Sequence, residues 1–298
     1  MTKVAVIGLG SKGLGMARSL LRAGFDVSGC DLSDAALAIL AEAGGRAAPN
    51  AAAAARDAAL VVSVVVNAAQ TEQVLFGPDG VAAAMPPGAV FVSSATMDPE
   101  IARGLARRVE ALGLHYLDAP MSGGAQRAAE GALTFLASGS EAAFAAARPA
   151  LSAMAGTVYE LGPEPGQGAA FKMINQLLAG VHIAAASEAI AFAARQGLDI
   201  RKVYEVITAS AGNSWMFENR VPHVLDGDYT PRSAVEIFVK DLGIVQDMAR
   251  GARFPVPMAA AALQMFLMTA GAGMGRDDDA SVARLYAQVS GTTLPGAG

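Results

Sequence analysis

The chain has 298 residues, 53% hydrophobic, 16% charged and 6% aromatic, with 22 Lys and Arg against 27 Asp and Glu for a net charge of −5. Its apolar content excludes a mainly disordered chain, and the absence of a basic stripe argues against nucleic acid as a partner. The single cysteine, Cys30, excludes an internal disulfide and a cysteine-built zinc or iron–sulfur site.

The N-terminus enters a strand-like run at once, Val4-Ala5-Val6-Ile7, with no signal-peptide organisation. Residues 8–13 then read G-L-G-S-K-G, followed by a helix expected over 14–23. Gly8, Gly10 and Gly13 form G-x-G-x-x-G between a strand and a helix. The first glycine permits the tight turn, the second lets backbone approach a pyrophosphate, and the third lets helix pack closely on strand. The helix N-terminus adds amide donors and its positive dipole end. Leu9, Ser11 and Lys12 complete this expected phosphate loop.

The next strand, 27–30, ends before Asp31, 18 residues beyond Gly13. A carboxylate there accepts the adenosine ribose hydroxyls of NAD and repels the 2′-phosphate of NADP, so NAD is the expected cofactor. Further strands are expected at 60–66, 89–93, 114–117, 134–137 and 157–160, and helices at 34–43, 51–56, 99–112 and 141–154. Apolar strands between helices predict a sheet covered on both faces. Together with the glycine loop this gives an α/β Rossmann-type domain over residues 1–163.

The stretch L-G-P-E-P-G at 161–166 is a cluster of chain breakers. Beyond it, 168–195 reads as one long helix, followed by helices at 200–209, 233–250, 257–271 and 280–289. Residues 164–298 are therefore expected to form an all-α domain built on a long central helix, with a frayed tail over 291–298. The apolar stretch 177–194 is interrupted by His182, Ser187 and Glu188, so a soluble cytoplasmic protein with no membrane span is expected. Its surplus of small and apolar residues predicts a homo-oligomer.

Residues 118–124 read D-A-P-M-S-G-G. The Ser122 hydroxyl and the amides of Gly123 and Gly124 suit a carboxylate, although Ser-Gly-Gly is also an ordinary surface turn. Lys172 is an isolated charge early in the long helix, with Asn175 and Gln176 three and four residues on, hence on one face. A lysine in apolar surroundings can exchange a proton near neutrality; the plainer reading is a lysine that snorkels to water. Lys240 lies in another apolar helix, where it either contacts substrate or cofactor or pairs with Asp241 or Glu236. Asn213, Ser214 and Trp215 form a polar–aromatic cluster that reads either as a substrate loop or as a capping turn. Asp277-Asp278-Asp279 reads as a solvated cap. His115, His182 and His223 lack ligand spacing, so no metal is expected.

These blocks together, G-L-G-S-K-G-L-G-M at 8–16, D-A-P-M-S-G-G at 118–124, G-x-x-x-K at 168–172 and K-D-L at 240–242, resemble the β-hydroxyacid dehydrogenase family over essentially the whole chain. The stretches 175–189 and 211–220 resemble in particular the members that act on four-carbon sugar acids. The resemblance implies NAD-linked oxidation of a secondary alcohol in a small hydroxy acid. Lys172 would be the acid/base residue and Ser122, Gly123 and Gly124 would hold the substrate carboxylate. Asn175 or Gln176 would orient substrate. Asn67, Thr96 and Lys240 would contact cofactor. It also implies a homodimer or homotetramer assembled through the long helix. Lys12 departs from the methionine usual in the family's loop. The alternatives are a reductase of a shorter aldehyde acid, a dehydrogenase of an aliphatic hydroxy acid, and a non-catalytic NAD-binding scaffold or sensor. There is no G-x-S-x-G elbow, and Lys12 precedes Gly13 rather than Ser or Thr, which excludes a serine hydrolase of that type and a Walker A loop.

Overall fold

In the computed structural model, which describes residues 1–297, the β-branched runs of the first half become strands buried on both faces. The elements of this half are β1 (Lys3–Ile7), α1 (Gly13–Arg22), β2 (Asp26–Cys30), α2 (Asp34–Glu42), β3 (Arg46–Ala47), α3 (Ala51–Ala55), β4 (Leu60–Ser63) and α4 (Ala68–Phe76). They continue with β5 (Val90–Ser93), α5 (Pro99–Glu110), β6 (His115–Asp118), β7 (Met121–Ser122), α6 (Gly124–Glu130), β8 (Leu133–Gly139), α7 (Glu141–Met154) and β9 (Ala155–Glu160). The strand order is β3-β2-β1-β4-β5-β6-β8-β7, with β9 beside β8. From β3 to β6 all pairs are parallel, and β8 runs antiparallel to β6. The order 3-2-1-4-5-6 is that of a Rossmann sheet, whose direction of winding reverses between β1 and β4 and opens a crevice at their carboxyl ends.

Each face of the sheet has its own core. Val4, Val6, Val62, Val92 and Leu117 pack with Met16, Leu20, Phe144 and Leu151. On the other face Ala5, Ile7, Val61, Phe91 and Tyr116 pack with Leu75, Leu105 and Val109. Phe91 and Tyr116 stack with centroids 5.8 Å apart. Burying one such side chain contributes about 1.5–3 kcal/mol.

The second half is helical: α8 (Gln167–Arg195), α9 (Ile200–Thr208), α10 (Trp215–Asp226), α11 (Val235–Ala252), α12 (Pro257–Thr269) and α13 (Val282–Ser290). A π turn, Ala270–Met274, follows α12, and a 3₁₀ turn, Asp279–Ser281, precedes α13. The chain divides into two compact units, Met1–Lys172 and Met173–Gly298, within α8. In the second unit Met173, Ile183, Phe238, Leu242 and Phe266 form one core. Ile190, Phe217, Val221, Val224 and Ala283 form another. By length and composition α8 and the stretch Pro257–Met274 are apolar enough to cross a membrane; half of the most apolar part of α8 is buried within the protein.

Several helices start where a short polar side chain accepts an amide of the first turn. Ser33, Asn50, Asn67, Asp98, Ser140 and Asp199 do this for α2, α3, α4, α5, α7 and α9. Such caps contribute about 1 kcal/mol each.

The structure departs from the sequence expectations where partners lie far along the chain. The strand expected over 60–66 stops at Ser63, and Val64 donates its amide to Ile7 O as the chain leaves for the Asn67 cap. Helix α10 was not expected, and Pro222 sits within it. Proline supplies no N–H to the carbonyl four residues back. That carbonyl, of Glu218, instead accepts the Tyr204 hydroxyl at 3.1 Å. The expected frayed tail is held as far as it is described: Leu294 is buried and Pro295 O accepts the Tyr229 hydroxyl. Gly298, the last residue of that stretch, lies outside the described residues. Asp278 and Asp279, expected in a solvated cap, are fully buried. Asp278 does cap the 3₁₀ turn, but water is replaced by His223 Nδ1 on Asp278 at 2.8 Å and by the Arg220 guanidinium on Asp279.

Candidate active site

The glycine loop lies at the carboxyl end of β1. Gly8 has φ +90°, and a Cβ there would lie 2.7 Å from Val64 O, so only glycine fits. A Cβ on Gly13 would lie 1.9 Å from Gly8 O. A Cβ on Gly10, by contrast, meets no described atom within 4 Å. That contrast separates the fold's need for glycine from a ligand's: at Gly10 the side chain's place is open space. Gly8 N–H donates to Cys30 O at 2.9 Å, joining the loop to the end of β2. Asp31 follows directly. Its carboxylate accepts the amides of Leu9 and Ser33, the latter at 2.8 Å. A groove of about 670 Å³ runs past Gly10, Ser11, Arg18, Asp31, Ser33 and Gln126. The open position at Gly10, the α1 N-terminus and the fixed carboxylate of Asp31 fit a dinucleotide.

The other expected cofactor residues take distinct places. Lys12 stands at the start of α1. Asn67 caps α4, its Oδ1 accepting Gln70 N–H at 2.9 Å. Thr96 is half-buried between β5 and α5.

Ser122 ends β7 and pairs with Thr134 of β8. Gly123, with φ +130°, turns the chain into α6, which begins at Gly124. The same segment begins with Asp118, a residue to which the sequence assigned no task. Asp118 is 1% exposed. Its Oδ2 accepts the amides of Gly166 at 2.9 Å and Ala169 at 2.8 Å. Ser138 Oγ accepts the amide of Gly168 at 2.9 Å. The first turn of α8 is thus capped from β6 and β8. Gly168 permits the approach, since a Cβ there would lie 2.3 Å from Leu136 O. Burial pushes the Asp118 carboxyl up to about 6, against the lowering effect of the Ala169 and Gly166 amides, Ser138 and Arg103. Lys172 follows within a turn of Ala169 and is 7% exposed, so most of its stem is buried.

In the second unit, Gln176 is buried and its amide donates to Asp241 Oδ2 at 2.5 Å. Asn175 donates to Gln176 Oε1 at 3.0 Å. Lys240 lies 2.7 Å from Asp241 Oδ1, so Asp241 is its ion-pair partner. Ser214 caps α10, accepting Phe217 N–H at 3.0 Å. Asn213 donates to Thr208 O at 3.2 Å and to Glu218 Oε1. Its carbonyl oxygen is buried and has no hydrogen-bond partner among the described residues. Trp215 opens α10 with about half its surface exposed. Asp118 and Ser138 are residues that sequence reasoning left without a role, and Asp241 was read only as a partner of Lys240; Asp118 and Asp241 were signalled by their place in the D-A-P-M-S-G-G and K-D-L blocks, and Ser138 by nothing in the sequence.

Comparison with known proteins bears out the family and the fold class. The family model described as the NAD-binding domain of 6-phosphogluconate dehydrogenase matches residues 3–162. The model described as NAD-binding of NADP-dependent 3-hydroxyisobutyrate dehydrogenase matches residues 166–286. The chain is 54% identical to an L-threonate dehydrogenase of Cupriavidus necator, over 98% of each chain. It is 51% identical to that of Escherichia coli K12, over 99% of this chain and 97% of the other. A solved 3-hydroxyisobutyrate dehydrogenase from Salmonella typhimurium superposes with a TM-score of 0.92 at 52% identity, covering 96% of this chain and all of that one.

Proposed function

The chain belongs to the β-hydroxyacid dehydrogenase family, nicotinamide-dependent enzymes that include 3-hydroxyisobutyrate dehydrogenase, and from that premise we propose that it oxidises the C2 hydroxyl of L-threonate to the 2-oxo acid with NAD. The observation that carries the substrate is the near-full-length similarity to L-threonate dehydrogenases.

When bound, NAD supplies the hydride acceptor. The residues that would hold it are the loop of Gly8, Leu9, Gly10, Ser11, Lys12 and Gly13, with Asp31 on the adenosine ribose and Asn67, Thr96 and Lys240 as further contacts. Lys172, as the amine, takes the proton of the C2 hydroxyl; in the reverse direction its ammonium returns it. The Ser122 hydroxyl and the Gly123 and Gly124 amides hold the carboxylate, which fixes the reacting carbon. Asn175 and Gln176 orient the substrate from the same helix as Lys172. Asn213, Ser214 and Trp215 serve the distal hydroxyls. The unpartnered carbonyl oxygen of Asn213 supports this reading, because it is an acceptor awaiting a donor. The Ser214 hydroxyl also caps α10, so its share in binding is the smaller.

The protein works as a soluble cytoplasmic homodimer or homotetramer. Ile174, Leu178 and Phe192 of α8 are at least half exposed, an apolar surface that a second copy would cover. Sedimentation at micromolar concentration giving only a 30.1 kDa species would refute assembly.

The assay is NADH formation with L-threonate, D-threonate, glycerate and 3-hydroxyisobutyrate, repeated with NADP. The proposal expects the highest kcat/KM for L-threonate with NAD. The name of the Salmonella protein favours a second reading, an aliphatic substrate. A preference for 3-hydroxyisobutyrate would replace the first reading by this one.

A further inference from the structure

Asp241, Gln176 and Asn175 form a chain of hydrogen bonds whose direction is fixed by its buried end. Asp241 is 1% exposed and Gln176 7%. An ionised carboxylate can only accept. Gln176 must therefore turn its NH₂ toward Asp241, as it does at 2.5 Å. Its carbonyl then faces the other way and accepts the NH₂ of Asn175 at 3.0 Å. Asn175 is left with its carbonyl oxygen directed away from the chain. Without the carboxylate, both amides could be turned round at little cost, since oxygen and NH₂ occupy nearly the same space. The Lys240 ammonium, 2.7 Å from Asp241 Oδ1, holds the carboxylate in place.

We infer that Asp241 is a positioning residue that sets the polarity of the substrate site, making Asn175 a hydrogen-bond acceptor selective for a substrate hydroxyl that donates. The inference rests on the proposed role of Asn175 in substrate binding and deepens it. With Asn213 and Ser214 taking one distal hydroxyl and Asn175 the other, it narrows the substrate class to acids with a hydroxyl donor beyond the reacting carbon. A group that only accepts, such as an ether oxygen or fluorine, places two acceptors face to face at Asn175.

Deoxyfluoro analogues test this, because fluorine is close in size to hydroxyl and cannot donate. The quantity is the ratio of kcat/KM for L-threonate to that for its 3-deoxy-3-fluoro or 4-deoxy-4-fluoro analogue. Comparing ratios between variants cancels both the effect of fluorine on hydride transfer and any change in NAD binding. In the parent the ratio at one of the two positions should reach about 10- to 100-fold. Asp241→Asn, which frees the amides to turn, should reduce it at least about threefold, and so should Gln176→Leu, which breaks the chain but leaves the Lys240–Asp241 pair. Asp241→Asn with Gln176→Glu moves the carboxylate one link along and should restore the parent ratio. A ratio unchanged in both single variants, or no better in the double variant than in Asp241→Asn, overturns the inference.

A second readout needs no substrate. In side-chain amide NMR of the full chain, Asp241→Asn should shift the NH₂ resonances of both Gln176, which donates to Asp241, and Asn175, which donates to Gln176 one link further on. A shift confined to Gln176 overturns the relay. Absence of any sugar-acid oxidation by the parent would instead refute the proposed function, leaving the relay to be decided by this readout.

Discussion

Asp118, the last residue of β6, accepts the amide of Ala169 at 2.8 Å across 51 residues of sequence. With the Gly166 amide on the same oxygen, this carboxylate serves as the N-terminal cap of α8. One side chain thereby links two segments that carry proposed chemistry. Ser122 lies in the segment that Asp118 begins, and Lys172 lies within a turn of Ala169. An anion at a helix N-terminus is favoured by the amides and the helix dipole, which offset part of the cost of burying it.

The pH dependence of that cost is a first prediction. Burial raises the Asp118 carboxyl to about 6 in the folded chain, above its ordinary value. The folded state then holds a proton that the unfolded state releases, so the contribution of this group to stability falls as pH rises from about 4 to about 6. Asp279 is also raised to about 6 by burial and adds a parallel trend in both proteins. Asp118→Asn should remove only its own part. Denaturant titrations of parent and variant across that range should show the parent losing stability relative to the variant as pH increases. A constant difference would refute the assignment.

The glycine loop separates folding from binding. Gly13→Ala drives a methyl group against Gly8 O, at 1.9 Å, and should destabilise the first unit by more than about 1–3 kcal/mol. Gly10→Ala meets no described atom within 4 Å, so stability should stay within about 0.5 kcal/mol while NAD binding weakens at least about tenfold. Calorimetric melts and NADH fluorescence titrations distinguish the two. Undiminished NAD binding in Gly10→Ala would remove this loop from the cofactor site.

Lys172→Ala should leave NAD affinity nearly intact and lower turnover by about 10²–10⁴-fold, the scale of a lost general acid/base. Steady-state kinetics with L-threonate measures it. Turnover near that of the parent would take Lys172 out of the chemistry.

Asp31→Ser should weaken NAD binding and lessen the penalty on NADP, lowering the NAD-to-NADP preference by about tenfold or more. The Leu9 amide also loses its acceptor, so the loop should become less ordered. Binding titrations with both cofactors decide; a parent that already prefers NADP would contradict the role given to Asp31.

The second unit depends on a buried ion pair. Asp279 is fully buried, and the Arg220 guanidinium meets both of its oxygens. Desolvation still outweighs that pairing, which is why the carboxyl is raised. Arg220→Ala leaves the carboxylate buried and unpaired and should cost about 3–5 kcal/mol. Urea denaturation measures the loss. A cost below about 1 kcal/mol would mean that Asp279 is readily hydrated or protonated in the variant.

What the sequence determined by itself was local and periodic. The glycine spacing at 8–13, the β-branched runs and the breakers at 161–166 define strand, turn and helix through backbone sterics and burial patterns that act within a few residues. From these came the sheet, the dinucleotide loop and the long helix, while the family came as a resemblance carried by the blocks at 8–16, 118–124, 168–172 and 240–242. Only the tertiary structure decided which distant polar groups meet. It gave Asp118 the amides of α8, gave the Glu218 carbonyl a tyrosine in place of the N–H that Pro222 lacks, buried Asp278 and Asp279 against His223 and Arg220, and directed Gln176 toward Asp241. A buried polar atom must find a partner, but the sequence does not say which one. That choice follows from which segments the packed sheet and helices bring within about 3 Å of each other.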